Sequence, residues 1–153
     1  MPETLYDALR ESHEIQRSLC RSLLRTPAHG ERRREVFREL RIELAAHEAA
    51  EERTLYVAML QHDAGLDSSR HALHEHHQID EFIETMRKGQ PFDRGWMNTA
   101  RALSKKVHHH LREEETKFFQ VSGKLLSATA KTRLAGAYRR DYRRMRAHYA
   151  DAD

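Results

Sequence analysis

His47-Glu48-Ala49-Ala50-Glu51-Glu52-Arg53-Thr54-Leu55-Tyr56 is followed 63 positions later by His110-Leu111-Arg112-Glu113-Glu114-Glu115-Thr116-Lys117-Phe118-Phe119. The two stretches share the pattern His-x3-Glu-Glu-x2-[Leu/Phe]-[Tyr/Phe]. Residues four apart on a helix project from one face, so each His-x3-Glu pair aims a nitrogen and an oxygen at a common point. The offset extends outward from here. His13 recurs as His76, Leu19 as Phe82, Cys20 as Ile83, Leu23 as Met86, Leu40 as Leu103 and Leu44 as Val107. Two helical hairpins related by a pseudo-twofold axis account for all of these pairs.

The hydrophobic periodicity fits this reading. Leu5, Leu9, Gln16, Cys20 and Leu23 share a stripe with His13 on a first helix over 3–25. Thr26-Pro27 and Gly30 end it. A second helix over 31–60 carries Phe37, Leu40, Leu44, His47, Glu51, Leu55 and Ala58. A third, over 68–88, carries Ala72, His76, Ile79, Ile83 and Met86, and Gly89-Gln90-Pro91 stops it. Asp93 can cap a fourth helix that runs to Val121 through Leu103, Val107, His110, Glu114 and Phe118. Ser122-Gly123 is the expected break before a shorter basic helix over 127–148. The fold class is therefore all-α. The expected architecture is an up-down-up-down four-helix bundle over 1–121 with a basic helical extension over 122–153.

Bulk properties narrow the setting. A chain of 153 residues suits one core of ordinary size, and only three prolines and six glycines interrupt it. The one cysteine, Cys20, cannot form an internal disulfide, and no apolar run reaches the ~20 residues of a membrane span. A cytoplasmic, soluble protein with no membrane partner is expected. The net charge of +3 is uneven, because residues 122–153 carry 8 basic and 3 acidic side chains. Arg133, Arg139, Arg140, Arg143, Arg144 and Arg146 alternate with Tyr138, Tyr142 and Tyr149. Packing or self-association into a homo-oligomer is preferred to nucleic-acid binding for this stretch, because charge runs are commonly solvated faces.

Five His-x3-Glu pairs occur, and those starting at His71, His77 and His109 lie off the apolar stripes and read as solvated contacts. The six inward residues are His13, His47, Glu51, His76, His110 and Glu114. Unpaired buried carboxylates cost several kcal/mol, and a ligated metal removes that cost. Nitrogen and oxygen donors together suit iron, manganese or zinc. A closed zinc site would need four ligands and usually recruits cysteine. The Glu-x-x-His of ferritin-like carboxylate proteins is absent from the sequence.

Over residues 4–121 the chain resembles the hemerythrin-like, or HHE cation-binding, family. The resemblance rests on Leu9-Arg10-Glu11-Ser12-His13, His47-Glu48-Ala49-Ala50-Glu51-Glu52 with Leu55-Tyr56, Glu75-His76-His77-Gln78-Ile79, and His110-Leu111-Arg112-Glu113-Glu114-Glu115. It implies two iron ions with an oxo or hydroxo bridge, with His13, His47, His76 and His110 as terminal ligands. Glu51 and Glu114 would be the bridging carboxylates. Manganese and zinc are weaker candidates.

The sequence departs from the five-histidine pattern of oxygen carriers, since Asp80 stands four residues after His76. Asp80, His77, His74 and Glu48 are the candidates for a seventh ligand. Without one, two similar metals would keep open positions, which favours peroxide, dioxygen or nitric oxide as reactant over reversible storage. Catalase-like decomposition of hydrogen peroxide, an oxidative-stress function, is the leading expectation. The alternative is a dioxygen, nitric-oxide or iron binding or sensing protein without turnover. Glu52 and Glu115 are read as surface ion-pair partners rather than supports for a histidine. Tyr56 and Phe119 are expected to seal the bundle above the centre.

Overall fold

The structure, a computed structural model, describes residues 1–152. Thr4 starts the first helix, α1 (Leu5–Leu24), with a capping box. Its side chain accepts from the Asp7 amide while Asp7 reaches back to the Thr4 amide, so two otherwise orphaned donors are satisfied. The stripe read from the sequence is the buried one, with Leu5, Leu9, His13, Gln16, Cys20 and Leu23 all inside. Gly30 follows in the loop at φ 91°, a left-handed conformation that suits glycine.

The second rod is α2 (Arg32–Glu51), a π-helical turn at Glu52–Tyr56, and α3 (Val57–Leu60). The π turn changes which residues face inward. Met59 is fully buried beyond it, whereas Ala58, the residue in α-helical register, is only half-buried. A 3₁₀ turn at Asp63–Gly65 leads to α4 (Leu66–Lys88). Gly65 is required there because a Cβ would meet the Met59 carbonyl oxygen at 2.5 Å. Next come α5 (Arg94–Glu113), a second π turn at Glu114–Phe118, and α6 (Phe119–Leu125). Asp93 occupies the cap position of α5 but makes no side-chain capping bond.

Ser122-Gly123 does not end this rod. Helix α6 continues to Leu125 because Ser122 is buried, its hydroxyl 2.8 Å from the Tyr6 hydroxyl. The break falls at Leu126-Ser127, where Ser127 caps α7 (Ala128–Asp151). No strand occurs among the described residues, so the protein is all-helical. No helix among them is long and apolar enough to cross a membrane.

Helix α7 packs against α1 and α2. Tyr138 and Met145 are buried there and Tyr142 is partly so, which places the tyrosine stripe against the protein's own body. Its arginines find intramolecular carboxylates: Arg139 pairs with Glu3 and Glu11, and Arg146 with Glu39 and Glu43.

Two apolar clusters form. One joins Cys20, Leu23, Phe37, Leu40, Ile83, Trp96 and Leu103. The other joins Leu5, Leu9, Leu55, Met59, Phe118, Phe119 and Tyr138. Burying each aliphatic side chain contributes about 1.5–3 kcal/mol, so the clusters clamp the helices on both sides of a polar layer. Cys20 belongs to the first cluster, where burial pushes its thiol pKa up to about 12 and leaves it unreactive. Trp96 closes that end of the bundle, donating from its indole to the Met86 carbonyl and packing edge-on to Phe37.

Candidate metal centre

The polar layer consists of the six residues singled out from the sequence. His13, His47, Glu51, His76, His110 and Glu114 are each at most 3% exposed. His13, His47, Glu51 and Glu114 offer atoms that all lie within 4.8 Å of one another, and Glu51, His76 and His110 form a second such group. Glu51 belongs to both. Its Oε1 is 3.4 Å from His47 Nε2 and 3.2 Å from His76 Nε2. Glu114 similarly reaches two imidazoles, with Oε1 3.3 Å from His13 Nε2 and Oε2 3.6 Å from His110 Nε2.

All four imidazoles turn Nε2 inward because Nδ1 is held from outside. His13 Nδ1 is 2.8 Å from Glu115, and His76 Nδ1 is 2.9 Å from Glu52. These two contacts obey the 63-residue relation. Glu52 and Glu115 therefore orient the inward-facing His76 and His13, which corrects the surface reading. Arg17 in turn holds Glu115 in place. His110 Nδ1 meets Glu75 at 3.0 Å, while His47 Nδ1 meets the Tyr138 hydroxyl at 2.8 Å. Such partners fix ring orientation and raise ligand basicity.

Sequence reasoning missed Glu75 and Tyr138. Position 12, the pseudo-symmetric mate of Glu75, holds Ser12, too short to serve as the carboxylate does. A tyrosine from α7 stands in its place.

Tyr56 was also misplaced. Its hydroxyl is not a lid but lies inside the layer, donating to Glu51 Oε1 at 2.8 Å and Glu114 Oε2 at 2.7 Å, and lying 3.2 Å from His76 Nε2. In an unbroken α-helix a residue five positions after Glu51 would point about 140° away. The π turn aligns positions i and i+5 and brings Tyr56 back onto the face that carries His47 and Glu51; such turns recur at functional sites. At the equivalent place after the second π turn stands Phe119, stacked on His13 with ring centroids 5.9 Å apart. The two halves are thus unequal, one meeting a hydroxyl and the other a bare ring. The expectation of two similar half-sites does not survive this.

The electrostatics follow the burial. Burial raises the Glu51 pKa, but the His47 charge and hydrogen bonds from its neighbours outweigh it and keep this carboxyl well below the usual range. Burial and the adjacent Glu51 charge push Glu114 upward. Tyr56, buried between two carboxylates, is driven far above its ordinary value and keeps its proton.

None of the four candidates for a seventh ligand joins the two groups. Asp80, His77 and His74 are exposed. Glu48 is buried beside Asp80, and desolvation raises its pKa.

The atoms left without a hydrogen-bond partner decide what the layer can hold. They include His13 Nε2, His47 Nε2, His110 Nε2, Glu51 Oε2 and Glu114 Oε1. Each orphaned buried polar atom costs about 1–3 kcal/mol, and all of these face one small volume. A mixed nitrogen and oxygen donor set of this kind fits divalent transition metals.

Residues 4–121 match the family described as Hemerythrin HHE cation binding domain. The chain belongs to this family. The fold agrees. A crystal structure of a hemerythrin HHE cation binding domain-containing protein from Mycobacterium kansasii superposes with a TM-score of 0.85. That likeness covers 95% of this chain and 88% of the other at 21% identity. Among curated proteins, no significant match is found. The hemerythrin-type helical fold and its buried histidine and glutamate groups make this a cation-binding domain able to hold a metal.

Proposed function

We propose that the domain is an up-down-up-down bundle carrying two iron ions joined by an oxo or hydroxo bridge, and that it decomposes hydrogen peroxide in a catalase-like manner. His13, His47, His76 and His110 would be the terminal ligands, with Glu51 and Glu114 shared between the ions. The observation that carries this reading is the set of orphaned Nε2 and carboxylate atoms facing one buried volume. Two shared carboxylates suit two ions better than one.

A redox-active metal pair supplies two-electron exchange, so that two peroxides give one dioxygen and two waters. The protein's own groups do the rest. Glu115, Tyr138, Glu52 and Glu75 hold the four imidazoles in one tautomer, with Nε2 free. Tyr56 keeps a proton at its hydroxyl oxygen, between Glu51 and Glu114, where it can donate to a small oxygen species. Phe118 and Phe119 are buried beside the layer, with Phe118 stacked on Tyr56 and Phe119 on His13. The His13 and His47 half faces the Phe119 ring, where the His76 and His110 half meets the Tyr56 hydroxyl.

The test is metal analysis and oxygen evolution on purified protein. Two irons per chain and dioxygen release on adding peroxide are expected, with both lost in a Glu51→Ala, Glu114→Ala double variant. Two irons with no dioxygen release would sink the turnover claim and leave dioxygen or nitric-oxide binding as the function.

A further inference from the structure

Two of the three His-x3-Glu pairs outside the centre face each other across α4 and α5. His71 Nε2 lies 2.8 Å from Glu113 Oε1 and 3.4 Å from Glu75 Oε1. His109 Nε2 approaches the other oxygens of the same carboxylates, at 2.9 Å from Glu113 Oε2 and 3.7 Å from Glu75 Oε2. The third pair, His77 and Glu81, is a solvated contact with both side chains mostly exposed.

The His71, Glu75 and Glu113 donor atoms all fall within 4.8 Å of one another. Four donors about 2.1 Å from a tetrahedral ion would be ~3.4 Å apart, so the spacing already suits a divalent cation with nitrogen and oxygen ligands. Lys106, 3.4 Å from Glu75 Oε2, is the group such an ion would displace.

The position of this cluster gives it a role. A recess of about 230 Å³ is lined at its mouth by His71 and Glu113 and further in by His110 and Glu114. His110 Nε2 and Glu114 Oε1 are among the buried atoms without partners. Glu75 connects the two regions, since the oxygen facing His71 also lies 3.0 Å from His110 Nδ1. A cation held at the mouth would stand one side chain away from the inner donors.

We propose that His71, Glu75 and Glu113, flanked by His109, form a third divalent-cation site at the mouth of this recess, through which metal is loaded into the centre. The loading role rests on the reading of the inner layer as a metal centre; the outer site does not. A half-exposed imidazole and a carboxylate at the lip capture the hydrated ion, and Glu75, whose Oε1 faces both His71 and His110, passes it inward.

The test uses Co²⁺ alone, added to the metal-free full chain under anaerobic conditions, with bound metal counted and the rise of ligand-field absorption timed. His71→Asn with Glu113→Gln, both on solvent-facing positions, should bind one fewer Co²⁺ per chain. It should fill the centre about tenfold more slowly and reach the same final inner-site spectrum. A Glu51→Ala, Glu114→Ala variant should keep the outer ion and lose the inner ones. An unchanged count in the His71 and Glu113 variant, or slowing of less than about threefold, overturns the proposal. If the Glu51 and Glu114 variant instead binds as much metal as the parent, the inner reading fails, while the count at His71 and Glu113 still judges the outer site by itself.

Discussion

His47 is held by Tyr138, whose hydroxyl lies 2.8 Å from Nδ1, although the other three inward-facing histidines are held by carboxylates. The C-terminal helix thereby completes a centre whose remaining residues all come from the first 121 positions. Tyr138→Phe keeps the buried ring and removes only the hydroxyl. Loss of such an orienting partner typically costs 10–100-fold in metal affinity, and a drop of about tenfold is expected here, confined to one ion. Competition titration against a chelator checks this. Two ions bound as tightly as in the parent would show that Tyr138 serves packing alone.

The Tyr56 hydroxyl lies between both carboxylates and gives its one proton to the pair, and this matters most when no metal is present. Tyr56→Phe should therefore destabilise the metal-free protein by about 1–3 kcal/mol, since the buried carboxylate pair loses the donor that lies between them. In the loaded protein the metals would occupy those oxygens, so the loss should be smaller. The rise in Tm on metal addition should then be larger in the variant than in the parent. Equal rises would contradict the placement of this hydroxyl. Peroxide turnover should fall in the same variant, because the buried proton donor is gone.

The metal-free protein should be most stable in weakly acidic solution. Burial disfavours the His13 cation, but the carboxylates of Glu114 and Glu115 beside its two ring nitrogens outweigh it and raise its pKa from 6.5 to about 9. That contribution is complete below pH 6.5 and is lost as the pH rises through 9. Glu75 and Glu115 act in the opposite sense. Despite burial, imidazole and cationic partners hold each at about 2, so their contribution is present above 4.5 and is lost as the pH falls through 2. Thermal melts should show a maximum between about pH 4.5 and 6.5. Once metal occupies His13 Nε2 the alkaline decline should disappear, because ligation replaces the proton. A metal-free melting curve flat from pH 6 to 9 would refute the His13 shift.

The helices and the six inward residues were legible because they obey α-helical periodicity and a repeat. What escaped does so for physical reasons. Tyr56 was visible as part of the repeated pattern, yet α-helical geometry aims it away from Glu51. Only the π turn turns it inward, and nothing in Glu52-Arg53-Thr54-Leu55-Tyr56 announces a π turn. Glu75 and Tyr138 act across helices, so their partners cannot be read from spacing along the chain. Glu52 and Glu115 had a signal, recurring beside the ligands in both halves, but each is also placed as a surface ion-pair residue would be. His71 and His109 looked like ordinary solvated contacts because each pair alone is one; the site exists only where α4 meets α5. Ser122 misled in the other direction, since a residue common in turns is tolerated in a helix when its hydroxyl finds Tyr6.

The attachment of α7 should depend on one buried carboxylate rather than on its many arginines. Glu43 is 1% exposed and accepts from Ser12 at 2.6 Å, from Tyr142 at 2.6 and 2.8 Å, and from Arg146 at 2.8 Å, which ties α1, α2 and α7 together. Glu43→Ala strands three donors and should cost about 3 kcal/mol, the low end for a broken buried pair because Arg146 remains partly solvated. For a chain of this size that lowers Tm by roughly 10 °C. Arg139→Ala removes only exposed pairing with Glu3 and Glu11 and should cost under about 1 kcal/mol. The distinction extends to the centre, because Ser12 also contacts the Tyr138 hydroxyl that holds His47. Glu43→Ala should thus weaken metal binding, whereas Arg139→Ala should not. Equal Tm losses in the two variants would mean that α7 is held by its surface charges instead.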